Sequence, residues 1–170
     1  YFSGLMTSVG LDADENLLET IFSPDLYPFR KYQGTDKDII LASACNLYEG
    51  VNQKEAAAFY DAMEDPKDLT PISYGLNSKL VKTADGKLVE QVYKIGGLYG
   101  AALEKVVENL EKAAAVAEND IQKKYVSELI SYYRTGDLKM WDQYNISWVQ
   151  DTESDVDFTS GFIEVYGDPL

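Results

Sequence analysis

Two side chains with complementary chemistry stand two residues apart near the end of the sequence. They are Glu164 and Tyr166, in the stretch SGFIEVYGDPL. The run 162–166 is predicted to be a short strand, on which side chains alternate between faces. Phe162, Glu164 and Tyr166 then share one face, while Ile163 and Val165 share the other and pack inward. A carboxylate beside a groove can hold a free α-amino group by a charge-assisted hydrogen bond. A phenol two residues on can donate to a carbonyl, or to the oxyanion that develops from it. The same alternation also suits an ordinary amphipathic strand with a solvated glutamate, and the pattern alone leaves both readings open.

Other candidate constellations fail on spacing. Asp12, Asp14 and Asn16 open like a calcium loop, but the sixth and twelfth positions, which need glycine and glutamate, hold Leu17 and Ser23. Asp14 is better read as a helix cap. The stretch KIGGLYGAA follows a predicted strand and opens a helix, as a dinucleotide fingerprint does. Its first glycine would fall at Ile95, so tight strand-to-helix packing is expected instead, with Gly100 allowing close contact. Asn145-Ile146-Ser147 matches a glycosylation sequon beside Trp148, which reads as buried. Cys45 is placed in a helix as a structural thiol, because the chain has no histidine to activate it. The same absence excludes a Ser-His or Cys-His nucleophile within the chain. With one cysteine in addition, no zinc site is predicted within the chain; carboxylate-only metal sites stay open, but no constellation for one stands out and no metal ligand is assigned.

Composition sets the wider bounds. The 170 residues are 45% hydrophobic and 12% aromatic, enough to bury a core, and carry a formal charge of -14. A charge of that sign argues against nucleic acid as a partner. No apolar run approaches the roughly 20 residues a membrane helix needs. A lone cysteine forms no intrachain disulfide, and a cytoplasmic location is expected. The chain opens on Tyr1 rather than Met, so the native start is expected to be missing or processed. Tyrosine is abundant, at 13 residues. It suits wet clefts and interdomain surfaces, with an apolar ring and a polar tip.

The elements that must carry these groups are mostly helical. Periodicity predicts a helix over 14–22 capped by Asp14, then one capped by Thr35 or Asp36 and running to about Tyr48, with Ile39, Ile40, Ser43 and Leu47 along one side. Asn52 and Glu55 form a capping-box pattern for a helix reaching toward Pro66. Two alternating runs around Asp85-Gly86 signal a hairpin. A long helix follows Gly96-Gly97, with the stripe Tyr99, Leu103, Val106, Leu110, Ala114 and Ala117. Another opens at Asn119 or Asp120, faces the core with Ile121, Tyr125, Leu129, Tyr132 and Tyr133, and stops at Gly136. A short helix carries Trp141 and Trp148, and 150–157 reads as an acidic, solvated loop. The fold class is α+β, mainly helical, with a hairpin near the middle and a short C-terminal strand.

The stretches PISYGLNSKLVK, VYKIGGLYGAALEKVVENLEKAAAVAEN, YYRTGDLKMWDQYNISWV and DFTSGFIEVYGDPL together resemble the dipeptidyl peptidase III family, most closely its bacterial form. The likeness spans about 71–170 and is weaker in YFSGLMTSVGLD and ASACNLYEGV. It implies part of a zinc-dependent metallo-exopeptidase, two-lobed around a wide cleft, that removes dipeptides from peptide N-termini. It also implies that Glu164 binds the substrate's free amine and that Tyr166 hydrogen-bonds the scissile peptide in the transition state. The family's zinc motif, two histidines around a catalytic glutamate, is not in this sequence. Residues 1–170 are therefore expected to be one fragment N-terminal to that motif, with a helical part over 1–70 and hairpin plus helices over 71–170. Such a piece would supply substrate-holding groups, bind no metal itself, be inactive alone, and pair with the remaining lobe and a peptide substrate. The alternative is a non-catalytic helical module that binds peptides or a protein partner.

Overall fold

The computed structural model describes residues 1–11, 14–23, 26, 30–161 and 167–170. In chain order the elements are α1 (Phe2–Ser8), α2 (Glu15–Phe22), β1 (Tyr48–Glu49), α3 (Gln53–Asp61), β2 (Ser78–Lys82), β3 (Leu88–Val92), α4 (Gly100–Ala115), α5 (Asp120–Thr135) and α6 (Leu138–Trp148). This is the expected α+β fold, mainly helical around one hairpin. The expected C-terminal strand at 162–166 lies outside the described residues.

Local chemistry accounts for most of the boundaries. Asp14 caps α2 by accepting from Leu17 N at 2.7 Å. Asn52 and Glu55 close a reciprocal capping box at the start of α3. Asp85-Gly86 turns the antiparallel β2–β3 hairpin, registered Ser78↔Val92 through Lys82↔Leu88. Asn119 caps α5 through Gln122 N, and Gly136 ends it in the left-handed region at φ 73°. Glycine reaches that region without a steric penalty.

The predicted helix from Thr35 or Asp36 to Tyr48 does not form. Asp38 organises one turn instead: its carboxylate accepts from Ile40 N and Leu41 N, and from Gln53 N further along. Ser43 Oγ donates to Ile39 O and accepts from Tyr32 N. The chain then straightens, Leu47 O accepts from Leu80 N at 2.8 Å, and β1 pairs parallel with β2 in the order β1-β2-β3. Ile40, Ser43 and Leu47 are nevertheless buried, as the periodicity required. Cys45 accordingly lies in a non-helical connection, half-buried.

Two clusters of buried residues hold these elements. The larger gathers Leu103, Val107 and Leu110 of α4, much of α5, and Leu138 and Tyr144 of α6, with Tyr93 at the end of the hairpin. The smaller gathers Ile40, Val51, Ala56 and Leu80. The predicted stripes are off by one residue at two points, and Tyr99, expected to open the long-helix stripe, is exposed. Val107 is buried where Val106 was expected, and Gln122 is buried while Ile121 is exposed. Tight packing of the strand onto the helix appears in the KIGGLYGAA stretch. A Cβ at Gly97 would collide with the Val92 carbonyl, whereas one at Gly100 would lie 3.4 Å from Lys94 O, so Gly97 is the tighter position. The sequon asparagine is inside α6, where Asn145 Nδ2 donates to Trp141 O, and Trp148 is half-buried. The acidic loop after α6 is tied down rather than merely solvated: Glu118 accepts from Asp155 N and Val156 N, and Asn119 donates to Asp151 and Ser154.

Candidate functional site

Glu164 and Tyr166, the two sequence-predicted site residues, lie outside the described residues, as do Phe162, Ile163 and Val165. The structure does place the residues that follow them in the chain. Gly167 and Pro169 are buried, and Asp168 is half-buried. One carboxylate oxygen of Asp168, Oδ1, accepts from Leu170 N at 2.9 Å and from the Tyr48 phenol at 2.8 Å. That contact joins positions 120 apart in sequence, β1 to the chain's last residues.

Tyr48 comes to this point because β1 is held on the sheet. Its register partner is Leu80, which is fully buried, and Val51 just beyond is buried in the same cluster. Burial chiefly, and then the hydrogen bond and charge of Asp168, push the Tyr48 phenol far above its ordinary value of 10.0. The hydroxyl therefore stays protonated and is the donor of the pair.

Tyr48 and Asp168 line a cavity of about 540 Å³ together with Tyr60, Tyr74, Leu76 and Lys31. Tyr60 reaches it from α3, its ring lying over Gly75, where a Cβ would come within 2.9 Å of Tyr60 Cζ. Gly75 is also left-handed, at φ 82°, so both space and backbone call for glycine. Burial pushes the Tyr60 phenol up to about 12, with Glu90 and Asp168 adding to the rise and the Ser78 hydroxyl opposing it. Ser78 Oγ in turn donates to Glu90 Oε1 at 2.6 Å. The cavity is thus lined by the protonated Tyr48 and Tyr60 phenols, by Asp168 and Glu64, and by Lys31 and Ser73 beside apolar walls, an arrangement able to orient polar groups.

A second hollow of about 350 Å³, lined by Arg30, Cys45, Leu47 and Gly167, also borders the Gly167 turn. Burial raises the Cys45 thiol above 9.0, a direction that disfavours thiolate chemistry. No grouping of three or more His, Cys, Asp or Glu side chains that could hold a metal occurs among the described residues. Among the described residues no helix is long and apolar enough to cross a membrane.

Sequence reasoning missed Tyr48, Tyr60 and Asp168. The available signal was indirect: NLYEG and YGDPL each end an extended run at a glycine or a proline, but nothing local says that they meet.

Comparison with known proteins gives this geometry a context. The sequence model described as Peptidase family M49 matches residues 45–170. Dipeptidyl peptidase 3 of Rattus norvegicus is 37% identical over 74 residues, which is 44% of this chain and 10% of that protein. The Homo sapiens protein of the same name is 38% identical over the same share of each chain. The matched region thus spans about a tenth of the length of these relatives. A solved dipeptidyl-peptidase III from Corallococcus sp. strain EGB aligns at a TM-score of 0.44 and 20% identity, over 65% of this chain and 19% of that one.

Proposed function

This chain belongs to peptidase family M49, and on that premise we propose that it is part of a zinc-dependent dipeptidyl peptidase that removes dipeptides from peptide N-termini. The observation that carries the proposal is the family match over 45–170, which includes the whole stretch GFIEVYGDP. In this reading Glu164 holds the substrate's free amine by a charge-assisted hydrogen bond. Tyr166 donates to the scissile carbonyl and to the negative charge that grows on it. An enzyme that counts from the N-terminus needs a fixed anion to measure from, and Glu164 supplies it.

The piece 1–170 acts with the remaining lobe of a two-lobed enzyme, is inactive alone, and comprises a helical part over 1–70 and hairpin plus helices over 71–170. The zinc ligands belong to the part of the enzyme outside this sequence. No specific observation favours a non-catalytic binding module instead.

Kinetics of the full-length enzyme on dipeptidyl substrates test the assignment. Tyr166→Phe is expected to lower kcat by about a hundred-fold, the usual loss for one transition-state donor. Glu164→Gln is expected to raise KM for peptides with a free amine. Parental kinetics for both variants would remove the assignment.

A further inference from the structure

The cavity of about 540 Å³ that Asp168 and three tyrosines line has walls that select a ligand by charge and shape. We propose that it binds a primary ammonium group carried on a short apolar stem, with Asp168 as the anion that holds it and the Tyr48, Tyr60 and Tyr74 rings around it. The inference goes beyond the functional reading above and uses neither Glu164 nor Tyr166.

Asp168 has one oxygen to offer. Its Oδ1 already accepts from the Tyr48 phenol at 2.8 Å and from Leu170 N at 2.9 Å. Among the described residues no donor reaches Oδ2, and every described ion pair goes to another carboxylate. A carboxylate has about four lone-pair sites, so about half of this one's accepting capacity is unused. Asp168 is also half-buried, between buried Gly167 and buried Pro169. A charge drawn partly out of water without a cation is costly, and a ligand ammonium removes that cost.

The rest of the lining favours the same sign. Two carboxylates, Asp168 and Glu64, stand against one ammonium, that of Lys31, which leaves one negative charge in excess. The charge of Asp168 acts across the cavity, since it raises the Tyr60 phenol as well as that of Tyr48. Both rings stay neutral, and a cation over a tyrosine face is attracted by the ring's quadrupole. Tyr60 is held in place by an edge contact with Phe59, 5.3 Å between centroids, and by its packing over Gly75. Ile72 and Leu76 give the stem an apolar wall.

Geometry then chooses among cations. A guanidinium binds a carboxylate best through two parallel bonds, one to each oxygen. Here Oδ1 is taken and Oδ2 alone is open. An ammonium is a compact point charge with three rotatable donors, so one suffices for Oδ2 and another can go to a phenol oxygen. The volume lies within the roughly 300–1,000 Å³ of small-molecule sites. A free amine and a lysine side chain share this chemistry.

The test titrates the full-length peptidase, labelled at isoleucine methyl groups, with n-pentylammonium. A saturable shift of the Ile72 methyl signal is expected. The Kd should be about three-fold weaker for n-pentylguanidinium and about ten-fold weaker for 1-pentanol. Asp168→Asn keeps a carbonyl oxygen for Tyr48 and Leu170 N but removes the charge. It should weaken the ammonium about ten-fold and leave 1-pentanol unchanged. Nα-acetyl-lysine methylamide identifies the source: binding as tight as that of n-pentylammonium points to a lysine side chain, and weaker binding to a free amine.

No saturable shift at Ile72, or equal affinity for n-pentylguanidinium or 1-pentanol, overturns the proposal. So does ammonium binding that Asp168→Asn leaves undiminished, whether or not Glu164→Gln removes it. Should Asp168→Asn not fold, the ranking of the three probes on the parental enzyme decides alone.

Discussion

Gly136 joins the helical cluster to the sheet that carries Tyr48, and Gly136→Ala tests that junction. Its N–H donates to Tyr132 O at 2.7 Å, and its carbonyl accepts from Asn77 Nδ2 at 3.0 Å. A Cβ added there would lie 2.5 Å from Val92 Cγ1 and 3.3 Å from Lys94 Cδ. Val92 is β-branched and stiff at χ1, so the overlap has no easy escape. Two costs add: about 1 kcal/mol for an L-residue at positive φ, and about 1–3 kcal/mol for overpacking. Gly86→Ala is the internal control. It sits at φ 84° with nothing within 4 Å, so it bears only the backbone cost. In a domain of this size each kcal/mol moves Tm by roughly 2–4 °C. Thermal melts followed by far-UV circular dichroism should therefore fall by about 3 °C for Gly86→Ala and about 10 °C for Gly136→Ala. Equal shifts in the two variants would refute the close packing of the α5 terminus on β3.

Four further outcomes follow from polar side chains and what they meet. Tyr133 shares a hydrogen bond with Ser160 Oγ at 2.9 Å, so Tyr133→Phe should cost about 1 kcal/mol in urea denaturation. Tyr132 OH is buried, and no partner reaches it in hydrogen-bond geometry; burial raises the phenol well above its ordinary range, and the nearby Asn77 amide offsets only part of that rise. Tyr132→Phe should accordingly be neutral or stabilising, and a loss equal to that of Tyr133→Phe would contradict the assignment. The amides of Asp155 and Val156 hold the Glu118 carboxylate below its ordinary 4.5. A depressed carboxylate contributes stability above its ordinary value and loses it as pH falls through the folded one. Protection factors of the Asp155 and Val156 amides, taken relative to the intrinsic exchange rate at each pH, should therefore fall on acidification, and be already low at neutral pH in Glu118→Gln. Burial raises the Cys45 thiol, so alkylation at neutral pH should be several-fold slower than for free cysteine and should recover in urea; an equal rate in the folded chain would place the thiol in solvent.

Elements written in local chemistry were legible in the sequence. The Asn52–Glu55 box, the Asp85-Gly86 turn, the Asn119 cap and the Gly136 stop each lie within a few residues of the backbone groups they satisfy. The segment 35–48 shows the opposite case. Its apolar spacing is helical, and Ile40, Ser43 and Leu47 are buried, but pairing with β2 more than thirty residues away draws its end into a strand. Local pattern reports which side chains are buried more reliably than the backbone that buries them. The exchange of Val106 for Val107 has a simpler cause. In a 3.6-residue repeat both three- and four-residue steps stay near one face, and only the position of α5 selects between them. Of the candidate site, alternation and the family resemblance propose Glu164 and Tyr166, which lie outside the described residues. The Tyr48–Asp168 contact was not legible, because neither stretch carries a mark of the other.

The tyrosines differ in what their phenols meet. Tyr125, Tyr132, Tyr133 and Tyr144 are buried in the helical cluster, and burial raises each phenol above its ordinary range. Each therefore serves as a neutral ring with a weak polar tip, and Tyr133, for instance, meets only a neutral serine. Tyr32 does donate to a carboxylate, that of Asp36, but the pair is exposed and four residues apart, so it anchors nothing distant. Tyr48 combines the two properties that matter: a partly buried phenol and a charged acceptor brought from the far end of the chain. Hydrogen bonds of that kind resist competition from water, and their loss leaves a carboxylate short of a donor where solvent reaches it incompletely. A contact with those energetics fixes geometry as well as adding stability.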